Sequence, residues 1–221
     1  MAQRYTTPQG TYRVIQQTGD GYYGLVYLAQ AERTGAPVTI KRFRSESLYQ
    51  SERSAQEQIT ALGIVGIPRL LDAADDALVL VLESVVDGHN VVTIPERSLP
   101  PNQVIDCILQ LFTIVWQLHD NGIVHGDIKD QNLVLGENGL HLVDFGSATY
   151  SQVTRQSFYE YHEVCMMVVA AQKVFALAEE QEEQLALWLE DEFLRVTSAQ
   201  QVTAASVLAG WQDVLKEREA R

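Results

Sequence analysis

Hydrophobic and polar positions alternate, or form short apolar runs, over most of the first 84 residues of the chain. Five segments between turn-forming residues have this β-strand pattern: 11–17, 24–30, 36–43, 68–74 and 77–84. Residues 47–63 instead have helical periodicity, and one stripe along this helix is apolar except for a single carboxylate, Glu52. The apolar members of that stripe are Leu48, Ala55, Ile59 and Leu62. The pattern predicts a five-stranded antiparallel sheet with one helix, and a buried partner for Glu52.

Helical periodicity dominates the chain after residue 84. A strong helix is predicted within residues 100–122, where two prolines precede an apolar face and Asn121-Gly122 ends it. Three short strand-like segments follow, at 123–125, 132–136 and 140–145, and helical patterns continue from about Tyr159. We therefore expect one α+β domain over residues 1–221, with a strand-rich lobe at 1–84 and a mainly helical lobe at 85–221.

Composition and charge narrow the classes of function. Hydrophobic residues make up 46% of the chain and charged residues 20%, which is typical of a globular protein. Neither a membrane span nor a signal peptide is visible, so a cytoplasmic protein without a membrane partner is expected. The net charge of −13 disfavours nucleic acid and favours neutral or basic partners. Cys107 and Cys165 are expected to be buried thiols.

A glycine-rich stretch and a strand lysine are the first candidates for chemistry. Gly19, Gly21 and Gly24 form the pattern G-x-G-x-x-G, with Val26 shortly after it. Glycines allow a backbone to approach a phosphate closely, although the motif alone fits a hairpin turn equally well. Lys41 follows in the next predicted strand, within "VTIK", and alone would be interpreted as a solvated lysine.

Two acidic motifs follow in the second half of the chain. The stretch "HGDIKDQN" contains Asp127, Lys129 and Asn132 between two short strands, and "VDFG" places Asp144 at the end of another. Each motif alone fits a simple turn. Together with the earlier motifs, however, their order and spacing resemble the eukaryotic-type Ser/Thr protein kinase family.

The resemblance implies a bilobal protein kinase-like fold that binds ATP and Mg²⁺. By this resemblance, Lys41 holds the α- and β-phosphates, and Asn132 and Asp144 bind Mg²⁺. Asp127 accepts or orients the proton of the attacking hydroxyl, and Lys129 neutralises the γ-phosphate. The implied activity is phosphorylation of Ser or Thr hydroxyls in a protein substrate, which the acidic charge of the chain suggests is basic.

The segment "LVLVLESVVDG" resembles the hinge of the family. Leu82 then stands at the gatekeeper position, and adenine is expected to bond to the backbone at Glu83 and Val85. The side chains that surround adenine need only be apolar, and the segment supplies such side chains.

The carboxylate partner of Lys41 is open between two glutamates. Counting from "GIPRLLD" puts the family's glutamate position at Ala55, and Glu52 lies one turn earlier on the same face. Glu57 is closer in spacing but points about 200° away from Ala55 by helical rotation. We therefore favour Glu52.

The chain departs from the family in its regulatory parts. Gly126 stands where the family has an arginine that docks a loop phosphate, and no A-P-E motif follows Asp144. Gln201 replaces the arginine that pairs with the A-P-E glutamate, so both partners of that pair are missing together. We expect basal activity without loop phosphorylation, and control by a partner that contacts the helix of the strand-rich lobe. The alternative is that Ser147, Thr149 or Ser157 is phosphorylated and docks on Arg155 or another cation.

Three functions are compatible with these motifs. The first is a compact, active Ser/Thr protein kinase. The second is a small-molecule kinase, which His-Gly-Asp and the short segment after Gly146 favour and Lys129 disfavours. The third is a pseudokinase that binds nucleotide or a partner without turnover. Retention of all the motif residues disfavours this third function.

Overall fold

A computed structural model describes residues 3–150, 156–179, 182–198 and 202–220. The first part of the chain forms one six-stranded sheet with the strand order β1-β2-β3-β4-β6-β5. Its strands are β1 (Arg4–Thr7), β2 (Gly10–Asp20), β3 (Gly24–Ala31), β4 (Pro37–Phe43), β5 (Leu70–Ala74) and β6 (Val79–Glu83). All pairs of neighbouring strands are antiparallel, and helix α1 (Glu46–Leu62) connects β4 to β5.

The sheet has one strand more than the five predicted, because β1 was missed. Its sequence "RYTT" is short and mostly polar, so it carries no clear strand pattern. Tertiary contacts hold it instead: the carboxylate of Asp72 on β5 accepts hydrogen bonds from the hydroxyl groups of Thr7 and Tyr12. The buried Asp72 thereby ties the N-terminal hairpin to the far edge of the sheet.

Helix α1 has defined ends and a mixed buried face. The side chain of Ser45 caps its start by accepting from Leu48 N–H, and Gly63 ends it with a φ of +66°. Its buried residues are Tyr49, Glu52, Ala55, Gln56 and Ile59. Two polar side chains therefore face inward, towards the sheet and the segments beyond it.

The second part of the chain is mainly helical. Its helices are α2 (Pro101–Asp120), α3 (Gln156–Phe175), α4 (Glu183–Ser198) and α5 (Ala204–Glu219). Helix α2 is the centre of the core, since it packs against both α3 and α5 and buries nine apolar side chains. The sheet-plus-helical architecture confirms the predicted α+β bilobal fold. In the described part of the chain, no helix is long and apolar enough to span a bilayer.

Short strands position the loops of this second part. They are β7 (His89–Asn90), β8 (Ile123–Val124), β9 (Leu133–Gly136), β10 (Gly139–Leu142) and β11 (Thr149–Tyr150). Strand β9 pairs with β7 and β10, and β8 pairs with β11. Strand β10 ends earlier than predicted because Val143 N–H turns to the Asn132 carbonyl and Asp144 adopts a left-handed φ of +70°. Arg155 and Gln201 lie outside the described residues.

Candidate active site

A cleft of about 720 Å³ lies between the six-stranded sheet and the segments that follow it. Nine residues predicted to bind nucleotide or metal line this cleft: Gly19, Val26, Lys41, Glu52, Leu82, Glu83, Val85, Asn132 and Asp144. Gly21, Gly24, Asp127 and Lys129 lie outside its lining. The fold thus gathers most of the motif residues into one cavity, although they come from both halves of the chain.

Lys41 is a buried cation held between two carboxylates. Its Nζ donates to Glu52 Oε2 at 2.6 Å and to Asp144 Oδ1 at 2.7 Å. In the sheet it lies opposite Val26 of β3 and Leu80 of β6. Lys41 is only 5% exposed, so its charge is tolerated because both carboxylates pair with it.

Burial and ion pairing set the protonation of this cluster. Burial opposes the charge of Lys41, but Glu52 and Asp144 outweigh it and raise the pKa of the ammonium group. Burial raises the pKa of Glu52 to about 7, against the influence of Lys41. Burial also acts to raise the pKa of Asp144, but there Lys41 prevails and the pKa is lowered. Near neutral pH, Lys41 and Asp144 are therefore charged, whereas Glu52 is only partly ionised.

Of the two glutamates considered as partners of Lys41, the structure places Glu52 against it. Glu57 pairs instead with Arg53 at 2.8 Å on the exposed side of α1. Ala55 is fully buried in the hydrophobic core and has no polar role. The rule that a carboxylate within an apolar stripe needs a partner therefore selects the correct glutamate, whereas counting back from the next strand does not.

Two buried side-chain oxygen atoms of α1 have no hydrogen-bond partner within the described residues. They are Oε1 of Glu52 and Oε1 of Gln56, both fully buried. Gln56 is 2% exposed and lines the same cleft, one helical turn after Glu52. The sequence interpretation did not single out Gln56, although its place one turn after Glu52 on the helix was the available signal. An unpaired buried acceptor costs free energy unless a bound group or a water molecule donates to it.

Asp127 is held by two donors from its own loop. Lys129 Nζ donates to Asp127 Oδ2 at 2.6 Å. Asn132 Nδ2 donates to the same oxygen at 3.1 Å and to the Asp127 carbonyl at 2.8 Å. These bonds do not use Oδ1 of Asp127, which leaves that oxygen as an acceptor for a further hydrogen bond. The bond to Asp127 raises the pKa of Lys129, so Lys129 stays charged beside it.

His125 braces the loop that carries Asp127. Its Nδ1 accepts from the Asp127 backbone N–H at 3.2 Å, so Nε2 carries the proton and donates to the Val143 carbonyl at 3.2 Å. Its ring centroid lies 4.6 Å from that of Phe145. Burial lowers the pKa of His125, which keeps the imidazole neutral in this role.

Glu163 of α3 is a site residue that the sequence interpretation missed. Its carboxylate accepts from the backbone N–H groups of His125 at 3.0 Å and Gly126 at 2.6 Å, and from His119 Nε2 at 2.8 Å. The side chain is buried beside Val164 and Met167. The available signal was a glutamate beside the apolar positions of a predicted helix, the same signal that identified Glu52.

Gly126 brings the segment after Gly146 into direct contact with the loop of Asp127. It has a φ of +81°, and a Cβ atom there would lie 2.5 Å from the Ser147 carbonyl oxygen. The pairing of β11 with β8 continues this contact. The backbone of Ser147 thus occupies the space that a side chain at position 126 would need.

The glycine-rich motif forms a tight turn between β2 and β3. Gly21 N–H donates to the Gly24 carbonyl at 3.0 Å. A Cβ atom on Gly24 would lie 2.1 Å from the Arg42 carbonyl oxygen, so the close approach of β4 requires glycine there. At the tip of the turn, the Tyr23 hydroxyl forms a 2.5 Å hydrogen bond with Ser147 Oγ.

The hinge segment follows β6 along one wall of the cleft. Leu82 is buried near the end of the strand, and the next residue, Glu83, pairs through its side chain with Arg69 at the exposed surface. This hydrogen-bonded pair lowers the pKa of Glu83. The Val85 carbonyl accepts from Gly88 N–H at 3.1 Å, which closes the turn out of the hinge. Glu83 and Val85 both line the cleft.

The oxygen atoms near Lys41 fit a magnesium ion. Asp144 offers a carboxylate, and Asn132 offers an amide oxygen because its Nδ2 is already bonded to Asp127. Within the described ranges, no three His, Cys, Asp or Glu side chains cluster as a metal site formed by protein alone. Mg²⁺ commonly binds one or two carboxylates together with substrate phosphates, so two protein ligands are sufficient.

Comparison with known proteins gives relatives among Ser/Thr and related kinases. The chain is 29% identical over 170 residues to CTD kinase subunit alpha of Schizosaccharomyces pombe, covering 70% of this chain and 28% of that protein. It is 29% identical over 185 residues to cell division control protein 2 homolog C of Antirrhinum majus, covering 74% and 60% respectively. It is 30% identical over 155 residues to CBL-interacting serine/threonine-protein kinase 19 of Arabidopsis thaliana, covering 66% and 32%.

The chain spans less than two thirds of the length of each of these relatives. The family described as protein kinase domain matches residues 12–183, a segment that contains every motif residue and the complete cleft. Because this segment is well over half of the sequence, the chain belongs to the protein kinase domain family.

Proposed function

We propose that the chain transfers the γ-phosphoryl group of ATP to a Ser or Thr hydroxyl of a protein, with Mg²⁺ as cofactor. The observation that carries this proposal is the position of Lys41 Nζ, 2.6 Å from Glu52 and 2.7 Å from Asp144, in the cleft that Asn132 also lines. A buried ammonium group between two carboxylates has little structural benefit, because apolar residues would fill the space at lower cost. Membership of the protein kinase domain family supports the same chemistry.

The proposed mechanism assigns positioning and charge neutralisation to the protein. The hinge main chain at Glu83 and Val85 bonds adenine, and Lys41 orients the phosphates. Bound Mg²⁺ would supply further neutralisation of phosphate charge through Asp144 and Asn132. Asp127 Oδ1 accepts the proton of the attacking hydroxyl, while Lys129 stabilises charge on the transferred group.

The acceptor in this proposal is a neutral or basic protein in the cytoplasm, and neither nucleic acid nor a membrane is a partner. The net charge of −13 supports a basic acceptor, since an acidic surface attracts cationic segments and repels phosphate-rich polymers. Lys129, bonded to Asp127, supports a hydroxyl acceptor of the Ser/Thr type by resemblance to the family.

A second candidate, phosphorylation of a small molecule, is favoured by one contact. The backbone of Ser147 fills the space beside Gly126, so the segment after Gly146 runs directly against the catalytic loop. A protein substrate normally docks along that segment in the family, and a short, tightly packed segment offers it less surface.

Incubation with Mg²⁺ and γ-labelled ATP tests the proposal. The chain is incubated alone, with a panel of basic proteins, and with small hydroxyl and amine compounds, with Asp144→Asn as the inactive control. Label on protein Ser or Thr is the expected result. Label only on a small molecule selects the second candidate, and no label in any arm contradicts both and leaves a nucleotide-binding or partner-binding scaffold.

A further inference from the structure

Tyr23 connects the glycine-rich turn to the opposite side of the cleft. Its hydroxyl is 2.5 Å from Ser147 Oγ, although the two residues are 124 positions apart. A Cβ atom on Gly146 would lie 2.9 Å from two carbons of the Tyr23 ring, so the ring packs on the glycine that follows Asp144 and Phe145. Tyr23 therefore contacts Gly146 and Ser147, the first two residues after Phe145.

The same ring lies beside the cation assigned to the phosphates. The centroid of the Tyr23 ring is 5.2 Å from Lys41 Nζ, within the range of a cation–π interaction. Two of the three N–H donors of Lys41 already bond to Glu52 and Asp144. A phosphate oxygen that bonds to the third donor must compete with the aromatic ring for the space around Nζ.

The shape of the cleft agrees with this position of the ring. Gly19 and Val26 line the cleft on one side, and Asn132 and Asp144 line it on the other, but Asp127 does not. The hinge residues Glu83 and Val85 line the same cavity as Asp144, whereas Asp127 lies outside its lining. The Tyr23 ring extends from the glycine-rich turn to Gly146 and Ser147, the residues that follow Asp144 and Phe145.

We propose that Tyr23 and Ser147 form a clasp that sets the affinity of the site for the phosphates of a nucleotide, without affecting the affinity for the nucleoside. This inference rests on the proposed function, because it takes Lys41 as the phosphate-binding group. When a nucleoside triphosphate binds, the Tyr23–Ser147 hydrogen bond breaks and the ring leaves Lys41. Adenosine binds at the hinge while the clasp stays closed.

Calorimetric binding of adenosine and of Mg-ATP to the full chain tests the clasp. Tyr23→Phe and Ser147→Ala each remove the hydrogen bond and are expected to raise the affinity for Mg-ATP about three- to tenfold, with adenosine affinity unchanged. The double variant should exceed neither single variant, because both remove the same bond. Tyr161→Phe is the matched control, since it removes an equally short hydroxyl bond from Tyr161 of α3 to the Val196 carbonyl of α4.

The outcomes separate the clasp from the proposed function. If the wild-type chain binds both ligands and the Tyr23 and Ser147 variants keep its ratio of Mg-ATP to adenosine affinity, the clasp is wrong and the kinase proposal stands. Additive effects in the double variant, or a loss of Mg-ATP affinity, also overturn the clasp. If the wild-type chain binds neither ligand, the proposed function fails and the clasp fails with it.

Discussion

The carboxylate of Glu163 accepts a 2.6 Å hydrogen bond from the backbone N–H of Gly126, the residue that precedes Asp127. Helix α3 thereby fixes the loop that carries Asp127, through the Glu163 side chain, which is 3% exposed. Because the same carboxylate also accepts from His119, it joins the end of α2, the loop and α3 at one point. The position of Asp127 therefore depends on a residue that does not touch the cleft.

Replacing Glu163 with glutamine should reduce turnover more than nucleotide binding. The amide presents an N–H₂ group towards donors that need an acceptor, so the loop shifts and Asp127 is misplaced. We expect kcat to fall at least about tenfold, with a smaller change in the KM for ATP, and stability to fall by about 1–3 kcal/mol. Steady-state kinetics and chemical denaturation measure both effects. Glu160→Gln on the same helix is the control, and an unchanged kcat in folded Glu163→Gln would contradict the role.

Lys41→Met should abolish most phosphoryl transfer. The variant removes the cation assigned to the phosphates and leaves Glu52 and Asp144 facing each other, with a cost of about 3 kcal/mol in transition-state stabilisation. Turnover is then expected to fall on the order of a hundredfold. Arg42→Met, on the neighbouring exposed position of β4, is the control. Equal kcat/KM values for wild type and Lys41→Met would rule out the assigned function of Lys41.

Asp127→Asn and Asp144→Asn should differ in a binding assay. Asparagine at 127 keeps the shape of the loop but cannot take up a proton, so Mg-ATP binding is expected to persist while transfer falls at least about a hundredfold. Asparagine at 144 removes a charged metal ligand and half of the pairing of Lys41, so Mg-ATP binding itself should weaken. Calorimetry with Mg-ATP compares them, and the same binding defect in both variants means that one role is misassigned.

The pH dependence of stability should carry the signature of Glu52. Burial raises its pKa to about 7 in the folded state, from an ordinary value of 4.5. The folded protein therefore binds an extra proton between these values, and the resulting stabilisation is lost as the pH rises through about 7. Between pH 5 and pH 8, wild type should lose on the order of 1–3 kcal/mol of unfolding free energy relative to Glu52→Gln. Denaturant unfolding at both pH values measures this difference, with Glu57→Gln as the control. Parallel pH profiles for wild type and Glu52→Gln would contradict it.

Gln56→Leu should stabilise the protein. The amide oxygen of Gln56 is buried without a hydrogen-bond partner in the described part of the chain, and leucine has a similar size without that cost. An increase of about 1 kcal/mol in unfolding free energy is expected, visible as a higher Tm. Ile59→Val, a small loss of volume one turn along α1, should lower Tm instead. A loss of stability in Gln56→Leu would show that the amide has a partner, such as a buried water molecule.

The sequence was informative where local patterns and motif spacing carry the signal. The stripe of α1 identified Glu52 as a buried carboxylate, and the family resemblance identified Lys41 of a predicted strand as its partner. The clasp between Tyr23 and Ser147 has no such signal, because neither residue belongs to a stripe and the contact depends on how two distant turns approach. Strand β1 was missed for the same reason, since the hydrogen bond from Thr7 to Asp72 holds it from across the sheet.

The backbone path at Gly126 has a consequence for anyone who wishes to engineer a phosphorylation switch into this protein. Grafting the arginine typical of the family onto position 126 would force a side chain into a left-handed φ of +81° and against the Ser147 carbonyl oxygen, 2.5 Å from the new Cβ. The graft therefore requires the backbone at Ser147, two residues before the strand that pairs with β8, to move away. Switch design in this scaffold has to begin with the backbone path after Gly146, and the choice of side chain comes second.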